Sequence, residues 1–237
     1  MNIVLFEPEE TARPLPLTDR RAQHVLNVLR GRPGDSFDAG IIDGPRGKAT
    51  LVAVDESSLR LDFTWGEHPP PLDPITLVIG LPRPQTARKV LEEATALGVQ
   101  AMHFVACDSG EPGYARSKLW MTDEWRRHLV DGAAQAFSTR LPLVTADGSL
   151  TESIAVGPTD ATRLALDNYE ASAPLSRATV AAPVVLALGP ERGWSASERD
   201  LLRAEGFQLV HLGERVLRVE TACVAAIAVV RAKLGLL

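Results

Sequence analysis

No stretch of this 237-residue chain stays apolar long enough to cross a bilayer. The longest apolar runs, Val184–Leu188 and Ala222–Val230, fall well short of the ~20 residues a spanning helix needs. Only two cysteines are present, Cys107 and Cys223. They are too few for a disulfide framework, and their spacing suits no zinc site. The opening run Met1–Phe6 is followed at once by Glu7, Glu9 and Glu10, with no basic flank and no small-residue cleavage site, so a secretory leader is not expected. Together these absences predict a soluble protein of a reducing cytoplasm, with no metal and no membrane contact. A basic excess is missing too: the formal net charge is -5. Any contact with nucleic acid must therefore come from local patches rather than the overall field.

The common catalytic and nucleotide signatures are also absent. There is no G-x-G-x-x-G, which speaks against a dinucleotide site, and no H-E-x-x-H or G-x-S-x-G. Gly40 to Lys48 resembles a P-loop only superficially, since its glycine spacing is wrong and Ala49 stands where Ser or Thr is needed. The five histidines, His24, His68, His103, His128 and His211, show no ligand spacing. His103 and His211 fall in expected strands and read as structural.

Proline is what divides the chain. Four prolines between His68 and Pro74 cannot continue a helix or a central strand and read as a semi-rigid linker. This predicts an N-terminal domain over residues 1–68 and a C-terminal domain over 73–237. In the first, Ser36–Ile42, Ala49–Val54 and Leu59–Trp65 are short strand-like runs separated by turn residues. One helix interrupts them, with Thr18 as its expected cap and Ala22, Val25, Leu26 and Leu29 at helical spacing. A small β-barrel with one helix fits. The second domain alternates strands (Ile75–Leu81, Val99–Cys107, Thr162–Leu166, Val184–Leu188, Phe207–Leu212) with helices (Thr86–Leu97, Asp123–Phe137, Ala196–Glu205, Glu220–Leu234). That alternation predicts an α/β fold with a parallel sheet.

Two strand-to-helix connections carry the chemistry. Leu188-Gly189-Pro190-Glu191-Arg192-Gly193-Trp194 follows a buried strand and precedes a helix that Ser195 and Glu198 start with an S-x-x-E capping box. Glycines at a strand's carboxyl end let backbone approach a ligand, and ligands sit there in open α/β sheets. A tight turn with no ligand is the plain alternative. Leu212–Ala222 is unusually apolar for a loop, with Val216, Leu217 and Val219 among its charges. It either lines a pocket or is pinned to the core by those side chains.

These two segments, taken as Gly189-Pro190-Glu191-x-Gly193 and Leu212-Gly213-x-Arg215-Val216-Leu217-Arg218-x-Glu220-Thr221-Ala222, resemble the signature of the SPOUT methyltransferases. Within them the chain is most similar to the family that methylates N3 of a uridine in small-subunit (16S) ribosomal RNA. The resemblance extends over nearly the whole chain. It includes Glu93-Ala94-x-Ala96-Leu97-Gly98-Val99, then Trp125, Ala133-Ala134-Gln135, Arg140 and Pro142, and in the barrel His24-Val25-Leu26-x-Val28-Leu29-Arg30 with Gly34-Asp35. It implies a trefoil-knotted α/β domain preceded by a PUA-like barrel, a bent S-adenosylmethionine held by the knot loops, and a homodimer.

On that resemblance the cofactor positions are Leu166, Leu188, Gly189, Pro190, Glu191, Gly193, Leu212, Gly213, Val216, Leu217, Arg218 and Thr221. Arg218 and Arg140 are candidates to stabilise a deprotonated uracil, and Gln135 to orient it. Arg218 has a structural alternative, a salt bridge to Glu220 or Glu214, and Gln135 one as helix decoration. An RNA patch would gather Arg20, Arg21, His24, Arg30, Arg32, Arg46 and Lys48; the alternative is a solvated face with scattered charge. The chain departs from the family at Arg192, where glycine is usual, at Glu93 and Ala96, at Ser138 and Asn27, and in the Cys107-Asp108-Ser109-Gly110 loop. Two further readings follow from these departures: a related enzyme with another RNA target, or a non-catalytic RNA-binding or ribosome-assembly homologue.

Overall fold

The computed structural model describes residues 2–155 and 158–237, so Met1, which the sequence reading counts with the barrel, lies outside them. The chain divides into two units. One holds the residues up to Pro71 together with Ala133–Leu141, and the other Leu72–Gly132 and Pro142–Leu237.

The first unit is built on β1 (Val4–Phe6), β2 (Leu15–Pro16), β3 (Ser36–Ile41), β4 (Arg46–Val54) and β5 (Ser58–Trp65), in the sheet order β1-β3-β4-β5-β2. Along β5 the side chains of Leu59, Leu61, Phe63 and Trp65 turn inward while Arg60, Asp62 and Thr64 face water, the period of two that a half-buried strand requires. Phe63 stands edge-on to Phe6 and stacks on Trp65, each pair 5.1 Å apart.

The helix α1 (Arg20–Gln23) is capped by Asp19, one residue later than the sequence suggested, because the Asp19 carboxylate accepts the Arg21 amide at 2.7 Å. The helix then widens into a π turn, His24–Val28, in which the Leu29 amide reaches back to the His24 carbonyl. That extra residue per turn rotates Leu29 off the apolar face on which 3.6-residue spacing placed it, and Leu29 is exposed.

The distant segment Ala133–Leu141 belongs here because it is stitched to the turn after β3. The Asp43 amide donates to the Thr139 carbonyl, the buried Thr139 hydroxyl donates to the Gly44 carbonyl at 2.6 Å, and the Leu141 amide donates to the Asp43 carboxylate.

The second unit is a six-stranded parallel sheet. Its strands and helices run β6 (Asp73–Gly80), α2 (Pro84–Ala96), β7 (Val99–Ala106), α3 (Lys118–Met121), α4 (Glu124–Gln135), β8 (Leu143–Ser149), α5 (Leu150–Ile154), β9 (Thr162–Leu166), β10 (Val184–Leu188), α6 (Ala196–Ala204), β11 (Gln208–Val210) and α7 (Val219–Lys233). The order β11-β9-β10-β6-β7-β8 means that the chain steps outward from β6 to β8 and then crosses to the other side. There β10 is inserted between β9 and β6. Every residue of β10 is buried, as a central parallel strand covered on both faces demands. Pro74 lies inside β6, and the β6–β7 register is irregular between Asp73 and Thr76, where its missing N–H falls. Strand β8 is not announced by any apolar run, being an edge strand paired with β7.

The most tightly held charge of the first unit is Arg21. Its guanidinium contacts Glu10 at 2.6 Å and Asp19 at 2.8 Å, donates to the Leu5 carbonyl, and lies over the Phe6 ring. Hydrogen bonds from Arg21 outweigh burial and hold both carboxyls below their usual range. A depressed folded pKa contributes stability above the unfolded value and loses it as pH falls. The barrel should therefore weaken from about pH 5 downward. Arg21→Ala should cost about 2 kcal/mol at pH 7 and flatten that acid limb, read from urea unfolding between pH 3 and 7.

Candidate active site

Three connections leave the carboxyl edge of the parallel sheet and line one cavity of about 480 Å³, the size class of small-molecule sites. Leu166–Tyr169 follow β9, Leu188–Gly193 follow β10, and Leu212 with Arg215–Glu220 lead from β11 into α7. Arg83 and Thr86, at the start of α2, complete the lining with Ala222.

The β9 wall is fixed by Asp167, whose side chain is almost fully buried. Its carboxylate accepts the Tyr169 and Glu170 amides at 2.9 and 2.6 Å and the Arg199 guanidinium at 2.7 Å. Burial alone would raise this carboxyl's pKa; the Arg199 hydrogen bond, then the two amides, reverse that and hold it low. Arg199 also lies over the Tyr169 ring, which is exposed beside the cavity. One residue earlier, the Leu166 carbonyl accepts the indole N–H of the buried Trp194 at 3.0 Å, tying this wall to the next.

The β10 wall depends on two glycines. A Cβ on Gly189 would stand 3.1 Å from the Gly193 backbone and 3.2 Å from the Trp194 nitrogen. Gly193 takes φ +72°, which an L side chain rarely adopts. Behind the turn, Ser195 and Glu198 form the capping box that the S-x-x-E spacing announced. Glu198 is buried and does more than cap, because it also accepts the Asp108 amide at 2.9 Å. Asp108 in turn accepts the Ser195 and Ser197 hydroxyls, and the Ser109 hydroxyl donates to the Gly193 carbonyl. The 107–110 loop is thus a brace for the glycine turn. Burial, reinforced by Glu198, pushes the Cys107 thiol far up, so it is no nucleophile.

The β11 wall starts at Gly213, whose amide donates to the His211 ring nitrogen at 3.0 Å. Val216 beyond it is 80% exposed and Leu217 half-buried, apolar side chains left facing the cavity. Arg218 is the N-cap residue of α7. Its expected partner Glu220 is bonded to Lys89 at 3.1 Å, while Arg218 has no ion pair among the described residues. The Glu220 carboxyl is held low first by a backbone amide, then by Lys89, with the Arg218 charge adding to it.

Of the proposed cofactor positions, Leu166, Leu188, Gly189, Pro190, Glu191, Gly193, Leu212, Val216, Leu217 and Arg218 line the cavity. Gly213 and Thr221 do not: the first is the left-handed hinge of its loop, and the second is exposed on α7. Gln135 and Arg140 are not in the lining; both lie on the segment stitched to the barrel, where Arg140 donates to the Asp43 carbonyl.

Within the barrel, Arg21 is held by Glu10 and Asp19, Lys48 by Asp38 at 2.7 Å, and Arg46 donates to the Phe137 carbonyl. Arg20, Arg30 and Arg32 are exposed and His24 is half-buried.

Sequence reasoning did not place Arg83, Thr86 or Tyr169 in the site; it had Arg192 and Arg215 within the two cofactor loops but gave them no role there. Arg83 and Thr86 gave no local signal, since only the pairing of β6 with β10 brings α2 there. His211 and Trp194 hold the walls from behind.

A family model described as an RNA methyltransferase domain matches residues 68–231. The chain belongs to that RNA methyltransferase family. Among its relatives, the ribosomal RNA small subunit methyltransferase E of Treponema pallidum is 38% identical over 98% of this chain and 91% of that protein. The protein of the same name from Synechocystis is 31% identical over 92% of this chain and 73% of its own length. The crystal structure of ribosomal RNA small subunit methyltransferase E from Neisseria gonorrhoeae, bound to S-adenosyl methionine, superposes with a TM-score of 0.76 at 25% identity. It covers 99% of this chain and 98% of that one. The fold class is accordingly a SPOUT-type α/β methyltransferase domain with a small PUA-like β-barrel.

Because a Cβ at Gly189 meets backbone rather than a flexible side-chain end, Gly189→Ala should push the Gly193 turn into the cavity. The expected result is a loss of about tenfold in affinity for an adenosyl ligand, with at most ~1–3 kcal/mol lost in stability. Titration calorimetry with S-adenosylhomocysteine, alongside thermal unfolding, checks both.

Proposed function

We propose that this protein methylates N3 of a uridine in small-subunit (16S) ribosomal RNA, with S-adenosylmethionine as donor. The observation that carries the reading is the meeting of the two glycine-bearing connections, Leu188–Gly193 and Leu212–Arg218, with the end of β9 around one cavity. The residues present suit an adenosyl group. Gly189 and Gly193 leave backbone bare where a side chain would intrude, and Val216 and Leu217 offer apolar surface to a flat ring. The donor supplies an electrophilic methyl on a sulfonium. The protein's part is to hold that methyl in line with the nucleophile and to favour the nucleophile's anionic form.

Uridine N3 carries a proton, and its lone pair becomes reactive when that proton passes to solvent water. Charge then spreads onto the uracil oxygens. Arg218 lines the cavity without an ion pair among the described residues, and is assigned to those oxygens. Arg140 and Gln135 are assigned to the same base on the family resemblance, and Arg20, His24, Arg30 and Arg32 to the RNA backbone. This reading takes residues 1–68 as the RNA-binding domain and 73–237 as the methyltransferase domain, knotted through its cofactor loops. It also takes the protein as a cytoplasmic homodimer. No group of three or more metal-ligating side chains occurs among the described residues, and no helix there is long and apolar enough to cross a membrane.

Tritium from methyl-labelled S-adenosylmethionine should pass to small-subunit RNA or particles, with nuclease digestion and mass spectrometry placing the methyl on uridine N3. No incorporation into any ribosomal substrate would sink the proposal. Arg218→Ala should lower kcat by about 10²–10³.

A further inference from the structure

Each carboxylate in the cavity lining already has a cation. Asp167 is held by Arg199, and Glu220 by Lys89. Glu191 accepts the Arg83 amide at 3.0 Å and stands 4.0 Å from that residue's guanidinium. Three arginines of the lining remain, Arg192, Arg215 and Arg218, and none has an ion pair among the described residues. All three are exposed. The cavity mouth is therefore a local surplus of positive charge on a chain whose formal net charge is -5.

A methyl donor does not account for that surplus. Its sulfonium and ammonium are both cations, and its lone carboxylate needs one partner. Arg218 is assigned above to the uracil oxygens. Two guanidinium groups, on the β10 and β11 loops, are left beside the entrance. Planar guanidinium forks match phosphate oxygens, and each loop runs into the N-terminus of a helix of nine or more residues, which adds partial positive charge nearby.

We propose that Arg192 and Arg215 form a phosphate clamp at the cavity mouth, gripping the RNA backbone beside the nucleotide whose base enters. The inference rests on the methyltransferase reading and names how the substrate strand is held in that same site.

The test compares the full-length protein with Arg192→Gly, Arg192→Lys and Arg215→Ala, using one small-subunit RNA substrate, S-adenosylmethionine for turnover and S-adenosylhomocysteine for binding. Removing one phosphate contact from a single strand should reduce the slope of log K against log salt by about 0.7. Arg192→Gly and Arg215→Ala should show that reduction and a KM for RNA raised about five- to tenfold at low salt, with kcat within about twofold. Arg192→Lys should keep the slope. Affinity for S-adenosylhomocysteine should not change in the Arg192 variants.

An Arg192→Gly enzyme with unaltered RNA KM and salt slope overturns the clamp. So does a loss confined to S-adenosylhomocysteine binding, which would put Arg192 on the donor's carboxylate. Failure of the wild-type protein to methylate RNA at all is a separate outcome, and it defeats the functional reading instead.

Discussion

Asp167 keeps the walls of the cavity together. Its carboxylate closes the first turn after β9 by accepting two successive amides and takes Arg199 from α6 in the same stroke. Next to it, Trp194 runs from the β10 turn to the Leu166 carbonyl. The ends of two neighbouring parallel strands are thereby joined by charge and by an indole hydrogen bond, both nearly dry. A site whose task is in-line transfer needs such stiffness, because a shift of about 1 Å in a bound group costs orders of magnitude in rate. The loops themselves do not supply it: Glu191, Val216 and Arg218 are exposed, and the glycines have no side chains to pack. Rigidity comes from behind them, through Glu198 bridging Ser195 and Asp108 and through His211 accepting the Gly213 amide.

Some of this was legible in the sequence, for definite physical reasons. The central strand β10 is a continuous apolar run, and β6 and β9 carry the apolar stretches Leu77–Ile79 and Leu164–Leu166, because both faces of the sheet are covered. The S-x-x-E box is a local motif whose two hydrogen bonds close within four residues, so spacing alone specifies it. Each glycine-bearing loop had two local readings, a bare turn or a ligand loop for the first and a pinned loop or a pocket wall for the second, and the structure puts both on the cavity. What did not show was non-local. Arg83 and Thr86 reach the cavity only because β6 pairs with β10, more than a hundred residues on. The segment Ala133–Leu141 joined the barrel through Thr139 and Asp43, two polar residues with no periodic pattern to give them away. The π turn at His24–Val28 was hidden because Val25, Leu26 and Leu29 sit at spacings that an ordinary helix would also use.

Charge was the least legible feature of all. Arg21 and Arg192 are the same residue type in equally polar surroundings in the sequence, yet the structure separates them completely. Arg21 is sandwiched between Glu10 and Asp19, the first of them eleven positions away, and lies on an aromatic ring. It holds a fold together. Arg192 sits on a loop whose neighbouring carboxylate, Glu191, turns to Arg83. Which cation is neutralised is decided by partners the linear order does not reveal.

The acidic total then acquires a physical sense. A uniformly basic enzyme would adsorb along any stretch of RNA, since phosphate contacts carry no sequence information. Here several cations are matched by carboxylates inside each unit, as with Lys48 and Asp38 or Arg60 and Asp55, and so contribute little to long-range attraction. Positive charge is left in excess at the cavity mouth. On the phosphate-clamp reading, a strand gains that electrostatic stabilisation when it lies across the mouth through which its base enters. The arginines at the mouth then contribute affinity and positioning together. The negative remainder of the surface discourages the many registers in which no transfer can occur.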